Sequence, residues 1–218
     1  MTPNNIVNMS LLKGLDMIAI TDHNTCGNCR AVIEAAENNL LVIPGLEVET
    51  SEEVHVVCYF PDIKAAERME AAVKNSTPFI ENRPDIFGRQ FYMNALDEVT
   101  GEEKNMLVRA SGLDIYEVVR LSREFGGIAV PAHIDRSSYS ILSNLGFIPP
   151  DLKTPTLEIT EKARNALSEK YHNFQIITNS DAHYLENISE RYYSLELSHK
   201  TAQSVIDFLC NNNQFNLF

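Results

Sequence analysis

Of the six histidines in this chain, the ones whose surroundings suggest chemistry stand where an apolar run gives out. LDMIAITDHNT runs through Met17 and Ile18 into Asp22 and His23, side by side. LVIPGLEVET reaches Glu47 and Glu49, EEVHVV sets His55 inside an apolar stretch, IAVPAHIDR closes on His133, and IITNSDAH closes on Asp181 and His183. Neutral imidazoles with carboxylates are a donor set for zinc, iron or manganese, and a carboxylate can bridge two cations while offsetting their charge. Two such ions, about 3.5–4 Å apart, can activate a hydroxide near neutral pH and grip the attacking and leaving oxygens of a phosphoryl group. Bound metal also lets acids crowd together that would otherwise repel and take up protons.

Each piece alone is weak. A strand-end histidine is more often hydrogen-bonded and structural, His55 reads either way, and Glu47 and Glu49 alternate, so one can face inward while the other is solvated. The joint placement carries the metal reading. His172 and His199 lie in polar helical surroundings and read as surface residues.

Valine- and isoleucine-rich runs near 16–21, 41–44, 54–59, 128–132, 156–160, 174–178 and 193–197 have the length of buried strands. Helical patterns separate many of them: one from Thr2-Pro3, a cap followed by a proline at the first helical position, then 30–39, 63–74, 114–125 with an aspartate cap, and 200–210. Such alternation predicts a mainly parallel sheet wrapped by helices, open or closed into a barrel, with the carboxyl ends of the strands gathered on one face. Residues 77–110 break the rhythm and read as an insertion containing a short hairpin, either a rim to the site or a surface decoration. One domain over residues 1–218 is the expectation.

Eighteen basic against 30 acidic residues argue against duplex nucleic acid as a partner and leave a small phosphorylated substrate or short nucleotide. No secretory leader or membrane span is visible, which predicts a cytoplasmic protein without membrane contact. Cys26, Cys29, Cys58 and Cys210 are too few and scattered for a disulfide framework. Cys26-Gly27-Asn28-Cys29 has the spacing of a redox pair or half a zinc site, but with no second pair it reads as the opening of a helix.

ITDHNT, IPGLEVET, VHVVCYF, AVPAHIDR and ITNSDAH resemble, in order and spacing, successive motifs of the PHP (polymerase and histidinol phosphatase) family, in its subgroup of small metal-dependent phosphoesterases. The likeness runs from Met1 to about Leu197. It implies a distorted (β/α)7 barrel holding two or three zinc, manganese or iron ions at the carboxyl ends of its strands. It implies metal roles for His23, Glu47, His55, His133, Asp181 and His183, with Glu47 as the bridging carboxylate and Asp22 a ligand or the partner of one. The family opens with a His-X-His strand, whereas this sequence starts at MTPNNIV. The expectation is therefore a barrel missing its first strand, either because Met1 is internal to a longer product, the favoured reading, or because the protein is shortened and its site impaired.

The function implied is hydrolysis of a phosphate monoester or nucleotide-type diester by a metal-activated hydroxide, with Asp22, His183 and Arg136 as the catalytic candidates. Arg136 suits a bidentate phosphate contact or, equally, a surface ion pair with Asp135 or a neighbour. Ser137 and Ser138 suit either an assisting role or a helix cap. The alternatives are a catalytically impaired or regulatory module of the same fold and a metal-dependent amidohydrolase.

Overall fold

A computed structural model of the chain describes residues 1–211; the last part of the expected domain, 212–218, lies outside the described residues. In chain order the elements are α1 (Pro3–Leu12), β1 (Met17–Ile20), α2 (Cys29–Ala36), β2 (Leu41–Glu49), β3 (His55–Tyr59), α3 (Ile63–Ser76), α4 (Pro84–Phe87), β4 (Phe91–Met93) and β5 (Val99–Glu102). There follow α5 (Ile115–Glu124), β6 (Ile128–Pro131), α6 (Ile141–Asn144), β7 (Thr156–Glu158), α7 (Arg164–Leu167), β8 (Gln175–Ile177) and α8 (Ala202–Cys210).

Side chains alternate across a strand, so each central strand feeds two cores. Val42, Leu46, Val48, Val56, Cys58 and Ala129 face a layer built from α1, α2, α3 and α5. Their neighbours Ile43, Val57, Tyr59, Ile128, Val130 and Ala132 face Ala202, Val205, Ile206 and Leu209 of α8. Capping fixes where the flanking helices begin. Asp62 accepts from Ala65 N at the start of α3, and Asp114 with Glu117 forms a reciprocal capping box at α5.

The sheet order is β1-β2-β3-β6, with β7-β8 a separate parallel pair and β4-β5 a hairpin. The two sheets touch where Ile134 N donates to Glu158 O at 2.9 Å. Two expectations are corrected here. The sheet is not mainly parallel: β1–β2 is parallel, but β2–β3 and β3–β6 are antiparallel. Among the described residues the strands also do not close into a barrel, and α8 packs on the face of the sheet formed by Ile43, Val57, Tyr59 and Val130. The run at 193–197 forms no strand. The hairpin within 77–110 is present, and the segment that carries it is stapled to the body by three asparagine- or aspartate-centred contacts. Asn28 donates to Phe91 O and accepts from Met93 N, Asp97 accepts from Thr2 and Asn4, and Asn24 donates to Leu107 O and Arg109 O.

Candidate metal centre

The face of the sheet that is apolar at Ile43, Val57 and Tyr59 becomes polar at Glu47, Glu49 and His55. Antiparallel pairing explains how these meet: β3 starts where β2 ends, and His55 lies directly across from Glu49. His55 is therefore the first residue of its strand, and its position at the amino end is what brings it to the carboxyl end of β2. His23 follows β1 and bridges to Glu47, His133 follows β6, and Asp181 and His183 follow β8.

Four imidazoles form a chain across this end of the molecule. Ring centroids are 5.1 Å apart for His23–His55, 5.3 Å for His55–His133 and 5.9 Å for His23–His183. Glu47, buried with its side chain only 6% exposed, lies among them: His23 Nδ1 is 3.2 Å from Oε2, while His55 Nδ1 and His133 Nε2 are 3.3 and 3.5 Å from Oε1. One donor atom each from His23, Glu47 and His55 falls within 4.8 Å of the other two, a spacing that could hold a metal ion. The buried His23 Nδ1 and both ring nitrogens of His133 have no aligned hydrogen-bond partner. Buried polar atoms ordinarily find one, so His23 Nδ1 and His133 Nε2, which face Glu47 at 3.2 and 3.5 Å without an aligned hydrogen bond, fit a site for a cation better than a finished hydrogen-bond network.

Charge agrees with this. Burial pushes the Glu47 carboxyl up, but the contacts from His133 and His55 and the neighbouring imidazoles more than offset it and hold it well below the usual carboxylate range. Burial lowers His23 despite Glu47, keeping the ring neutral and able to ligate. Burial also lowers His55, but Glu47 overcomes it and the net shift is upward.

Asp22 is open to solvent beside His23, and its backbone carbonyl accepts from Glu47 N at 3.1 Å. His183 is largely exposed, with Nδ1 3.8 Å from Asp181 Oδ1. Arg136 makes a 2.7 Å ion pair with Asp181, while Asp135, the other partner considered for it, accepts from Thr160 instead. Ser140, rather than Ser137 or Ser138, caps the short helix α6.

Three residues that the sequence reading does not single out belong to this region. Glu158, 4% exposed, ends β7 and accepts from Asn179 Nδ2 at 2.7 Å; burial raises its pKa above the usual carboxylate range. TLEIT, an acid closing an apolar run, carried the same signal as the other strand ends. Tyr139 stacks on His55 with centroids 4.9 Å apart, and its carbonyl accepts from His55 N. Asn24 follows His23 with its side chain buried. Asn24, His133, Tyr139 and Asp181 have φ of 54°, 30°, 53° and 46°. Left-handed backbone is costly for residues other than glycine, and it concentrates at sites where geometry is imposed by surrounding structure.

No protein-family model and no curated protein sequence matches the chain. Solved structures do. Lesion-specific endonuclease Q from Pyrococcus furiosus aligns with a TM-score of 0.67 at 16% identity over 96% of this chain and 51% of its own. A protein assigned as a metal-dependent phosphoesterase from Bifidobacterium adolescentis aligns at 0.57 and 18% identity over 87% of both chains. An amidohydrolase from Chromobacterium violaceum, solved with sulfate and without metal, aligns at 0.54 and 16% over 84% of this chain and 82% of its own. At these identities the likeness establishes the fold alone, one shared with these three proteins. The chain spans about half the length of the endonuclease Q chains.

One expectation is overturned by this comparison. The net charge of −12 was read as arguing against duplex nucleic acid, yet endonuclease Q is solved with a 27-mer duplex bearing an abasic lesion at its active site. The physical reason is range. Net charge describes the far field, whereas at roughly 8–10 Å from a phosphate in physiological salt the local groups and any bound cations decide. No helix among the described residues is long and apolar enough to cross a membrane.

Proposed function

We propose that this chain is a metal-dependent hydrolase acting on phosphate esters, with His23, Glu47, His55, His133, Asp181 and His183 as its metal-ligating set and Asp22 beside them. The observation that supports this most is the convergence of His23, Glu47, His55 and His133 with imidazole nitrogens that lack hydrogen-bond partners. A divalent cation bound there supplies Lewis-acid activation and offsets charge developing on the substrate. The remaining roles fall to side chains. Glu47 stays ionised and fixes the orientation of three imidazoles. Arg136, with 44% of its side chain exposed, keeps part of its guanidinium fork free of Asp181 for the non-reacting phosphate oxygens. Where the buried residues hold the cation without it, exposed His183 would instead be free to hand a proton to the leaving group.

The test is metal analysis of the purified chain followed by hydrolysis assays on an aryl phosphate monoester, an aryl phosphodiester, an abasic-lesion duplex and an aryl amide. Glu47→Gln should lower metal affinity and turnover together by at least about a hundredfold. Metal uptake without turnover would favour a non-catalytic module of this fold. Turnover of the amide alone would favour the amidohydrolase reading, and failure to take up any divalent cation would end the proposal.

A further inference from the structure

Asn24 spends both amide donors and its Oδ1 on two parts of the chain that are otherwise far apart in sequence. Its Nδ2 donates to Leu107 O and Arg109 O, both at 2.8 Å. Its Oδ1 accepts from Glu49 N at 3.2 Å, and its own backbone N–H donates to Glu47 O at 2.8 Å. It is 5% exposed and directly follows His23. A primary amide is the side chain of this size that can donate twice and accept once from one place: aspartate cannot donate, and a serine or threonine hydroxyl can donate only once. The left-handed φ of 54° is also one that asparagine tolerates better than most residues.

The contacts around it make a closed loop. Downstream, Ser111 N donates to Glu49 O at 2.8 Å, so the returning end of segment 77–110 is stitched to the last residue of β2. Arg109 Nη1 reaches across to Pro78 O at 2.8 Å, tying that end to the beginning of the segment. Glu49 in turn lies 3.9 Å from His55 Nε2. The root of the segment is thus bonded, through one asparagine, to the backbone on which His23, Glu47 and Glu49 stand. The hairpin tip is held separately, through Asp97, by Thr2 and Asn4.

We propose that Asn24 is a positioning residue that couples docking of segment 77–110 to cation binding at the His23–Glu47–His55 cluster. The docked segment holds His23 and the end of β2 in ligating position, and a bound cation strengthens the docking by the same factor, because coupling between two sites is reciprocal. This rests on the metal reading of the cluster. It assigns the segment a function that a surface decoration would not have: its root tunes how tightly the site binds metal.

The experiment uses the full chain with Mn2+ or Zn2+ as probe, reading affinity by calorimetry and amide exchange over residues 105–111. In the wild type the cation should slow exchange at 107–109. Asn24→Ala should weaken cation binding by about tenfold, the lower end of the effect of removing a group that orients a ligand, and should abolish the cation-dependent protection. Asn24→Asp keeps the shape and backbone tolerance but loses both donors, so it should behave like the alanine variant and serves if that variant does not fold. Asp97→Ala should free the hairpin tip while leaving cation affinity within about twofold, because Asp97 bonds only Thr2 and Asn4 and touches none of the cluster. Cation binding that leaves exchange at 105–111 unchanged, or an Asn24→Asp protein with wild-type affinity, would overturn the coupling while sparing the metal reading. A wild type that binds neither cation would overturn both.

Discussion

His23 and His55 sit 5.1 Å apart around one carboxylate, yet their proton affinities move in opposite directions. His55 is raised, so its pairing with Glu47 stabilises the fold below the ordinary imidazole value of 6.5 and is lost as pH rises through the raised value. His23 is lowered, so its contribution is present above 6.5 and lost as pH falls through the lowered value. The two windows lie on opposite sides of 6.5, so from this pair the stability of the cation-free protein should peak near that value and decline to either side. Cation binding should be one-sided. A metal must displace the proton that His55 retains, so affinity should fall by up to about tenfold per pH unit below neutrality. The gain in melting temperature on adding Mn2+ should accordingly shrink between about pH 8 and about pH 6. An equal gain at both would show that His55 is not displaced from Glu47 by the ion.

At the scale of elements, two contacts set the frame on which these residues stand. Gly45 lies in β2 where a Cβ would come 2.4 Å from Cys58 O and 3.1 Å from Thr21 Cγ2. Glycine is needed there for the close approach of β3. Gly45→Ala should cost about 1–3 kcal/mol in urea unfolding, as overpacking between paired strands does, and it displaces Glu47 two residues on. The second contact is Asp97 in the β4–β5 turn. Thr2 occupies the N-cap position of α1 but makes no cap bond with its own side chain; its hydroxyl donates to Asp97, which also accepts from Asn4 N. The hairpin thus caps a helix more than ninety positions away in sequence. Asp97→Ala should cost roughly 1 kcal/mol, the usual worth of an N-cap, with increased amide exchange in both α1 and the hairpin turn. A change confined to the turn would show that α1 does not depend on it.

Much of this frame was legible from the sequence because the signals were local. Apolar runs marked β1, β2, β3, β6, β7 and β8, and Asp114 marked the start of α5. Cys29 opens α2, and Cys26, Cys29 and Cys58 are buried free thiols, as the helix-opening reading of CxxC requires. Strand direction was not legible, because hydrophobic pattern specifies which residues are buried and is silent on whether a neighbour runs up or down. That is why His55 looked like an interior residue of its strand. The staples through Asn24 and Asp97 were invisible for a related reason: single polar residues bonding across 83 and 95 positions leave no periodic trace.

Considered whole, the molecule brings the candidate ligands together from five separate stretches of chain: the loops after β1, β6 and β8, the end of β2 and the start of β3. Left-handed residues lie in or beside four of these stretches: Asn24 after β1, Glu53 just before β3, His133 and Tyr139 after β6, and Asp181 after β8. Backbone in that region has few neighbouring minima to relax into. On the metal reading proposed above, the conformational cost of gathering the ligands is met when the chain folds, and an arriving ion would find its seats already laid out. Uptake of Mn2+ by the folded protein, followed by stopped flow, should be a single exponential whose rate rises linearly with ion concentration. A plateau would reveal a rearrangement that the backbone has left to the ion.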